Sequence, residues 1–214
     1  RKNSYIRNMK ISYAITVCNE FLEIQKLVNF LIKHKPIQDE IVILYDEKNG
    51  DKEVENYLRA KSVNGELNWH KAPFNNHFGD WKNKLTTLCS GDYIYQIDAD
   101  EMVSEYCIKN LGMVLQYNNV DILRVPRINT VEGLTQEHIQ KWGWRVDEKG
   151  WINFPDLQWR IYKNNGKIKW KNKVHEVLEG HKTISYLPLE EPWCLKYPKT
   201  IEKQENQNSY YDTL

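Results

Sequence analysis

At 214 residues, with 30 Lys and Arg against 29 Asp and Glu and a net charge of +1, the chain lacks the basic excess of a nucleic-acid or anionic-membrane binder. No apolar run approaches the roughly eighteen residues that a spanning helix requires, and no signal-peptide core stands near Arg1. The length suits one large domain with a substantial core, or one domain and a tail.

Residues 1–8 read as a tag, a linker or a disordered N-terminus, with the fold starting near Met9. Ile11 to Val17 is an apolar, β-branched run and predicts a buried strand, closed by Cys18-Asn19-Glu20. Phe21 to His34 carries Leu22, Leu27, Phe30 and Leu31 as a helical stripe that Pro36 ends. Ile41 to Tyr45 predicts a second buried strand, stopping at Asp46, and Lys52 to Ala60 a second helix. A short strand near Leu67 to His70, a polar loop from Pro73 to Gly79 and a helix from about Asp80 to Cys89 follow. Strand and helix in alternation with short loops imply right-handed crossovers and a doubly wound α/β sheet, mostly parallel and flanked by helices. In such a sheet, ligands bind at the C-terminal edge of the strands.

Tyr93 to Asp98 predicts the next buried strand, and Asp98-Ala99-Asp100-Glu101 ends it in three carboxylates within four residues. Carboxylates at a strand's C-terminal edge suit a divalent cation; in an extended segment Asp98 and Asp100 point to the same side, roughly 6.5–7 Å apart. A solvated acidic turn is the plainer alternative. The turn after the first strand, Val17-Cys18-Asn19-Glu20, has neither the G-x-G-x-x-G of dinucleotide folds nor a phosphate loop ending in Lys-Ser/Thr, so polar side chains must do the recognising.

Six segments in order resemble those of family 2-type GT-A glycosyltransferases. Thr16 to Glu20 is similar to the V-x-N-E opening, Asp46 falls at the second-strand aspartate, and Asp98 to Glu101 is similar to the D-x-D-E motif. Phe78-Gly79-Asp80-Trp81-Lys82-Asn83 resembles the helix start beside the nucleotide, with Lys82 where an arginine is usual, keeping charge without bidentate geometry. Gly150 to Tyr162 resembles the acceptor-side G-W-x-P-D-x-Q-x-R-L-F segment of lipopolysaccharide-core-type transferases, and Trp170 to Glu176 their W-x(3)-V-H-E. A looser likeness is to glycosyltransferase domains of large algal viruses.

The resemblance implies a single GT-A domain over 9–195, with a nucleotide-binding half at 9–101 and an acceptor half at 102–195. It implies a nucleotide-sugar donor, UDP-sugar foremost, held by Thr16, Val17, Asn19, Glu20, Asp46, Lys82, Asn83, Asp98 and Ala99. A divalent cation, Mn2+ or Mg2+, is expected on Asp98 and Asp100, with His175 joining them, where it would offset the charge of the departing diphosphate. Arg160 is a candidate for the diphosphate itself, or pairs with a carboxylate. Asp156 stands at the place of the carboxylate that takes the acceptor hydroxyl's proton in inverting enzymes; its plain alternative is a helix N-cap after Phe154-Pro155. Glu101 and Glu176 are the substitute bases, or orient the neighbouring metal ligands.

Val103 to Asp147 predicts a helix from Glu105 to Tyr117, a strand from Asp121 to Arg127 and a long polar, aromatic passage from Asn129 to Trp151. Trp142, Trp144 and Trp151 within it are a candidate stacking surface for the sugar of a glycan or glycoprotein acceptor. Residues 196–214 read as a C-terminal helix, or a linker to further domains of a longer chain. Cys18, Cys89, Cys107 and Cys194 are widely spaced and read as free thiols, with two disulfides the alternative that counting leaves open, and a cytoplasmic location is expected, as for a host-cytoplasmic viral enzyme. Two other classes compete. A sugar-1-phosphate nucleotidyltransferase should show a glycine-rich N-terminal loop; a non-catalytic carbohydrate-binding module would account for eight Trp and thirteen Tyr but not for the metal motif.

Overall fold

A computed structural model of the chain describes residues 9–211. The expected tag or linker at 1–8 lies outside them.

The central strand β1 (Ile11–Val17) lies between β2 (Glu40–Asp46) and β4 (Tyr93–Asp98), parallel to both, and β3 (Asn68–Ala72) continues the sheet beyond β2. The order β10-β5-β6-β4-β1-β2-β3 is completed by β5 (Ile122–Glu132), β6 (Ile152–Lys163) and β10 (Leu195–Thr200), with β9 (Ile184–Tyr186) also on β5. Only β6 runs against its neighbours, so the sheet is mostly parallel, as the strand-helix alternation predicts. A two-stranded sheet of β7 (Lys169–Lys171) and β8 (Val177–Glu179) stands apart.

Alternation along the strands gives the two faces different helices. Tyr13, Ile15, Ile43 and Ile97 pack with α1 (Phe21–His34), α2 (Lys52–Val63) and α4 (Glu105–Asn118). Ala14, Val42, Leu44 and Ile94 pack with α3 (Phe78–Leu88) and with Trp170 of β7. In α1 the buried set is Ile24, Leu27, Val28 and Leu31, the i, i+3, i+4, i+7 stripe of a helix that buries one side. Each such side chain, fully removed from water, contributes roughly 1.5–3 kcal/mol before entropy is counted.

Three expectations are corrected. The passage from Asn129 to Trp151 is not one long loop: β5 runs on to Glu132, and α5 (Gln136–Trp142) is opened by a Thr135–His138 capping box. Asp156 caps no helix; it lies within β6, directly opposite Arg127 of β5. Residues 196–200, expected to begin a tail, belong to the parallel edge strand β10 on β5, and α6 (Ile201–Tyr211) follows it. Pro198 sits in that edge strand, where a missing N–H breaks no ladder on the open side.

Candidate active site

Register brings the predicted residues together. Thr16 stands beside Asp98 across β1 and β4, and beside Leu44, two residues before the Asp46 that ends β2. A cavity of ≈760 Å³ opens at this edge, walled by Thr16 to Glu20, Asp46, Asn49, Phe74, Trp81 and Asp100. Thr16, Glu20, Phe78, Asp100 and Tyr197 also wall an adjoining ≈210 Å³ space that reaches Lys82, Asp98, Ala99, His175 and Glu176. Together these volumes suit a nucleotide-sized ligand. A depression of ≈590 Å³ beside α4 carries no comparable convergence of groups.

The turn after β1 is shaped by Glu20, whose carboxylate accepts from the backbone N–H groups of Cys18 (2.9 Å) and Asn19 (3.1 Å). Asp46 is buried, and its oxygens accept from Lys48 N (3.0 Å), Phe74 N (3.1 Å) and Asn49 Nδ2 (2.8 Å). Burial raises its pKa, and these bonds, Asn49's first, more than offset that and hold it below the usual value. It therefore shapes the end of the cavity by fixing both loops that enclose it.

Asp98 ends β4, and the chain turns there: Glu101 N donates to Asp98 O at 2.9 Å, so the acidic segment is a turn and not the extended run that the sequence predicts. The Arg160 guanidinium reaches Asp98 Oδ2 at 2.6 Å and holds Glu101 through Nε (3.1 Å) and Nη2 (2.8 Å). Burial would push Asp98 up, but Arg160, with Lys82 and Arg127 behind it, holds its carboxyl well below the usual carboxylate range. Arg160 is only 4% exposed and absent from the cavity wall. The expected diphosphate role does not fit; Arg160 anchors the acidic turn from below. Glu101 is 1% exposed and takes four donors, from Asp98 N, Arg127 and twice from Arg160. It has neither a free lone pair nor access for a hydroxyl, so it positions the turn and is unsuited as the substitute base.

Asp100 faces the cavity and pairs with Lys203 of α6 at 3.1 Å. Burial, and after it the charges of Asp98 and Glu101, raise its carboxyl despite Lys203. Hard oxygens of Asp98 and Asp100 on one wall fit a divalent cation that takes its remaining oxygens from a diphosphate, the usual arrangement where no all-protein cage exists. No cage is formed: among the described residues no three His, Cys, Asp or Glu side chains gather to hold a metal. His175 lines the same space but does not complete such a set, against the expectation.

Lys82 is nearly buried, 3.0 Å from Glu176 and 3.8 Å from Asp98, with its ammonium over the Trp170 ring. Asn83 does not face the cavity as expected; it donates to Trp170 O (2.8 Å) and accepts from Trp170 N (2.9 Å), pinning β7 to α3. That clamp, with left-handed backbone at Asn172 and His175, aims Val174 to Glu176 at the cavity.

On the far side of Tyr197, Asp156 accepts from Arg127 Nε (3.0 Å), Asn129 Nδ2 (2.9 Å) and Gln158 Nε2 (2.6 Å). Burial works against ionisation, but Arg127 and these amides hold its carboxyl below the ordinary range. Arg127 and Asn129, with Trp144, Tyr197 and Lys199, line a ≈160 Å³ pocket. Trp142 and Trp144 pack at 4.6 Å between ring centres, while Trp151 packs on Phe154 at 4.9 Å.

A model of the family described as glycosyl transferase family 2 matches residues 12–189. The chain belongs to glycosyl transferase family 2. The SPbeta prophage-derived glycosyltransferase SunS of Bacillus subtilis strain 168, and glycosyltransferase SunS of Bacillus phage SPbeta, are each 27% identical to it over 169 residues. These cover 78% of this chain but 34% of each relative, so the family 2 chain spans about a third of the length of the curated relatives it matches. By structure it is similar to S. aureus TarS residues 1–349, with a TM-score of 0.63 at 15% identity over 89% of this chain and 60% of that one. The same TarS fragment in complex with UDP-GlcNAc gives a TM-score of 0.62 at 15% identity, over 89% of this chain and 59% of that one. The likeness agrees with the expected GT-A architecture.

Within this family 2 chain, several site residues escape sequence reading. Arg127 and Asn129 have little signal in the sequence, because β5 also carries Arg124, Thr130 and Glu132. Tyr197 and Lys203 lie beyond the family match, on β10 and α6. Cys18, Cys89, Cys107 and Cys194 are free, and among the described residues no helix is long and apolar enough to cross a membrane.

Proposed function

We propose that the chain transfers a sugar from a nucleotide-sugar, a UDP-sugar foremost, to a hydroxyl of a glycan or glycoconjugate, with inversion and with a divalent cation. The observation that carries this reading is the cavity at the sheet's C-terminal edge, where the carboxylates of Asp98 and Asp100 meet the β1–α1 turn and the loop Val174 to Glu176. TarS, similar in fold, is known with UDP-GlcNAc, which supports UDP as the carrier.

On this reading Thr16 to Glu20 and Asp46 enclose the nucleoside, and the diphosphate lies toward Asp98, Asp100 and Lys82. A bound Mn2+ or Mg2+ supplies Lewis-acid stabilisation of the departing diphosphate. Asp156 takes the acceptor hydroxyl's proton, and Arg127, Asn129 and Gln158 fix the orientation of its carboxylate. Glu176, tied to Lys82, is the reserve base.

Calorimetry with UDP and Mn2+ tests the donor reading. The wild type binds, and Asp100→Ala, whose side chain is not part of the core, loses most of the cation-dependent affinity while staying folded. Equal UDP affinity for both proteins, in Mn2+ and in chelator, would remove the cation role; no UDP binding by the wild type would remove the donor reading.

A further inference from the structure

Helix α6 follows an edge strand, lies beyond the family match, and has a polar sequence, yet it places Lys203, Asn206 and Gln207 in the wall of the donor cavity. Lys203 Nζ is 3.1 Å from Asp100 Oδ2 and 3.4 Å from Glu23 Oε1, with its side chain 38% exposed. An ion pair with that much solvent contact contributes about 0–1 kcal/mol, and α6 is also held by Lys199 through Gln204 and Gln207, so the position of Lys203 is not needed to seat the helix.

The cavity's charge points to a different use. Its wall holds Glu20, Asp46, Asp98 and Asp100, and a diphosphate brings further negative charge into it. The other lysine there, Lys82, is 7% exposed and held between Glu176 and Asp98. Lys203, by contrast, keeps 38% of its side chain exposed and is held by carboxylates that it can exchange for another anion. From these contacts we propose that Lys203 is a donor-binding residue, carried by α6, whose ammonium contacts the diphosphate of the bound nucleotide and thereby closes the C-terminal helix over it. The inference rests on the donor reading above. In the nucleotide-free protein Lys203 stays on Asp100; a diphosphate offers the ammonium several oxygens and more negative charge than one carboxylate, in bonds that are likewise charge-assisted.

The test compares ligands that differ only in the diphosphate. Calorimetry with UDP and with uridine is run on the wild type, Lys203→Met and Lys203→Arg, and melting is followed on all three. Lys203→Met weakens UDP binding on the order of tenfold and leaves uridine binding unchanged; Lys203→Arg restores most of the loss. Melting temperatures stay within about 4 °C of one another, as expected for a change of at most ~1 kcal/mol in a chain of this size. Unchanged UDP affinity in Lys203→Met, or an equal loss for UDP and uridine, overturns the proposal while leaving the donor reading intact. A wild type that binds no UDP overturns both.

Discussion

Asp156 faces two opposed demands. Its partners Arg127, Asn129 and Gln158 hold it ionised, so it is ready to accept a proton, yet the same partners lower its basicity. If it is the base, Asp156→Asn lowers turnover by a factor on the order of 10² to 10⁴ while UDP affinity changes little. A purely structural role in holding Arg127 gives a different pattern, because Arg127 reaches Glu101 and hence the turn that carries Asp98 and Asp100. Then nucleotide affinity falls with turnover. Since the carboxyl is held below its ordinary range, the acid limb of a kcat/KM profile owed to Asp156 also lies below that range. NMR of the product glycoside reads the inversion that direct displacement requires.

Helix α3 and the loop Asn172 to Glu176 are held together by backbone contacts that leave no room for a side chain. Gly79 N donates to Asn172 O at 3.1 Å, and a Cβ on Gly79 would stand 2.6 Å from that oxygen. With Phe78 N on Lys173 O and Asn83 on Trp170, this seam fixes where His175 and Glu176 meet the cavity. Gly79→Ala is therefore expected to destabilise the protein by about 1–3 kcal/mol and to weaken nucleotide binding, because the loop must move outward. Urea unfolding and UDP titration on the variant check both effects. A stability loss with unchanged UDP affinity would show that the loop's position is immaterial to the donor.

The sheet is a single body from β3 to β10, and its last strand also positions the site. β10 pairs with β5 over six positions and carries Tyr197, whose ring lies 4.7 Å from the Arg127 guanidinium and lines both the donor cavity and the pocket beside Asp156. Ending the chain at Leu195, the domain boundary that the motifs suggest, exposes the edge of β5 and removes Tyr197 and Lys203. Such a protein melts lower, by roughly 2–4 °C for each kcal/mol lost, and aggregates through the bare edge. Ending it at Thr200 keeps the strand, so it melts near the full chain and loses only what α6 contributes. Light scattering and thermal melts on the two truncations separate these outcomes.

Local pattern was enough for the nucleotide-side half. Buried strands beside amphipathic helices fix a parallel sheet, and a parallel sheet brings Thr16 to Glu20, Asp46 and Asp98 to Asp100 to one edge whatever the details of packing. Side-chain partners across the sheet had no such local signal. Arg160 and Glu101 read as candidates for ligand and base, and only the fold shows them buried against each other. Asn83 reads as a nucleotide contact, and only the packing of β7 on α3 shows both ends of its amide in use. Asp156 after a proline is ambiguous between helix cap and strand until β6 enters the sheet antiparallel, between β4 and β5, and sets it opposite Arg127. Spacing along a chain determines which residues share an edge; which charges neutralise one another depends on contacts between segments tens of residues apart, and those exist only once the chain has folded.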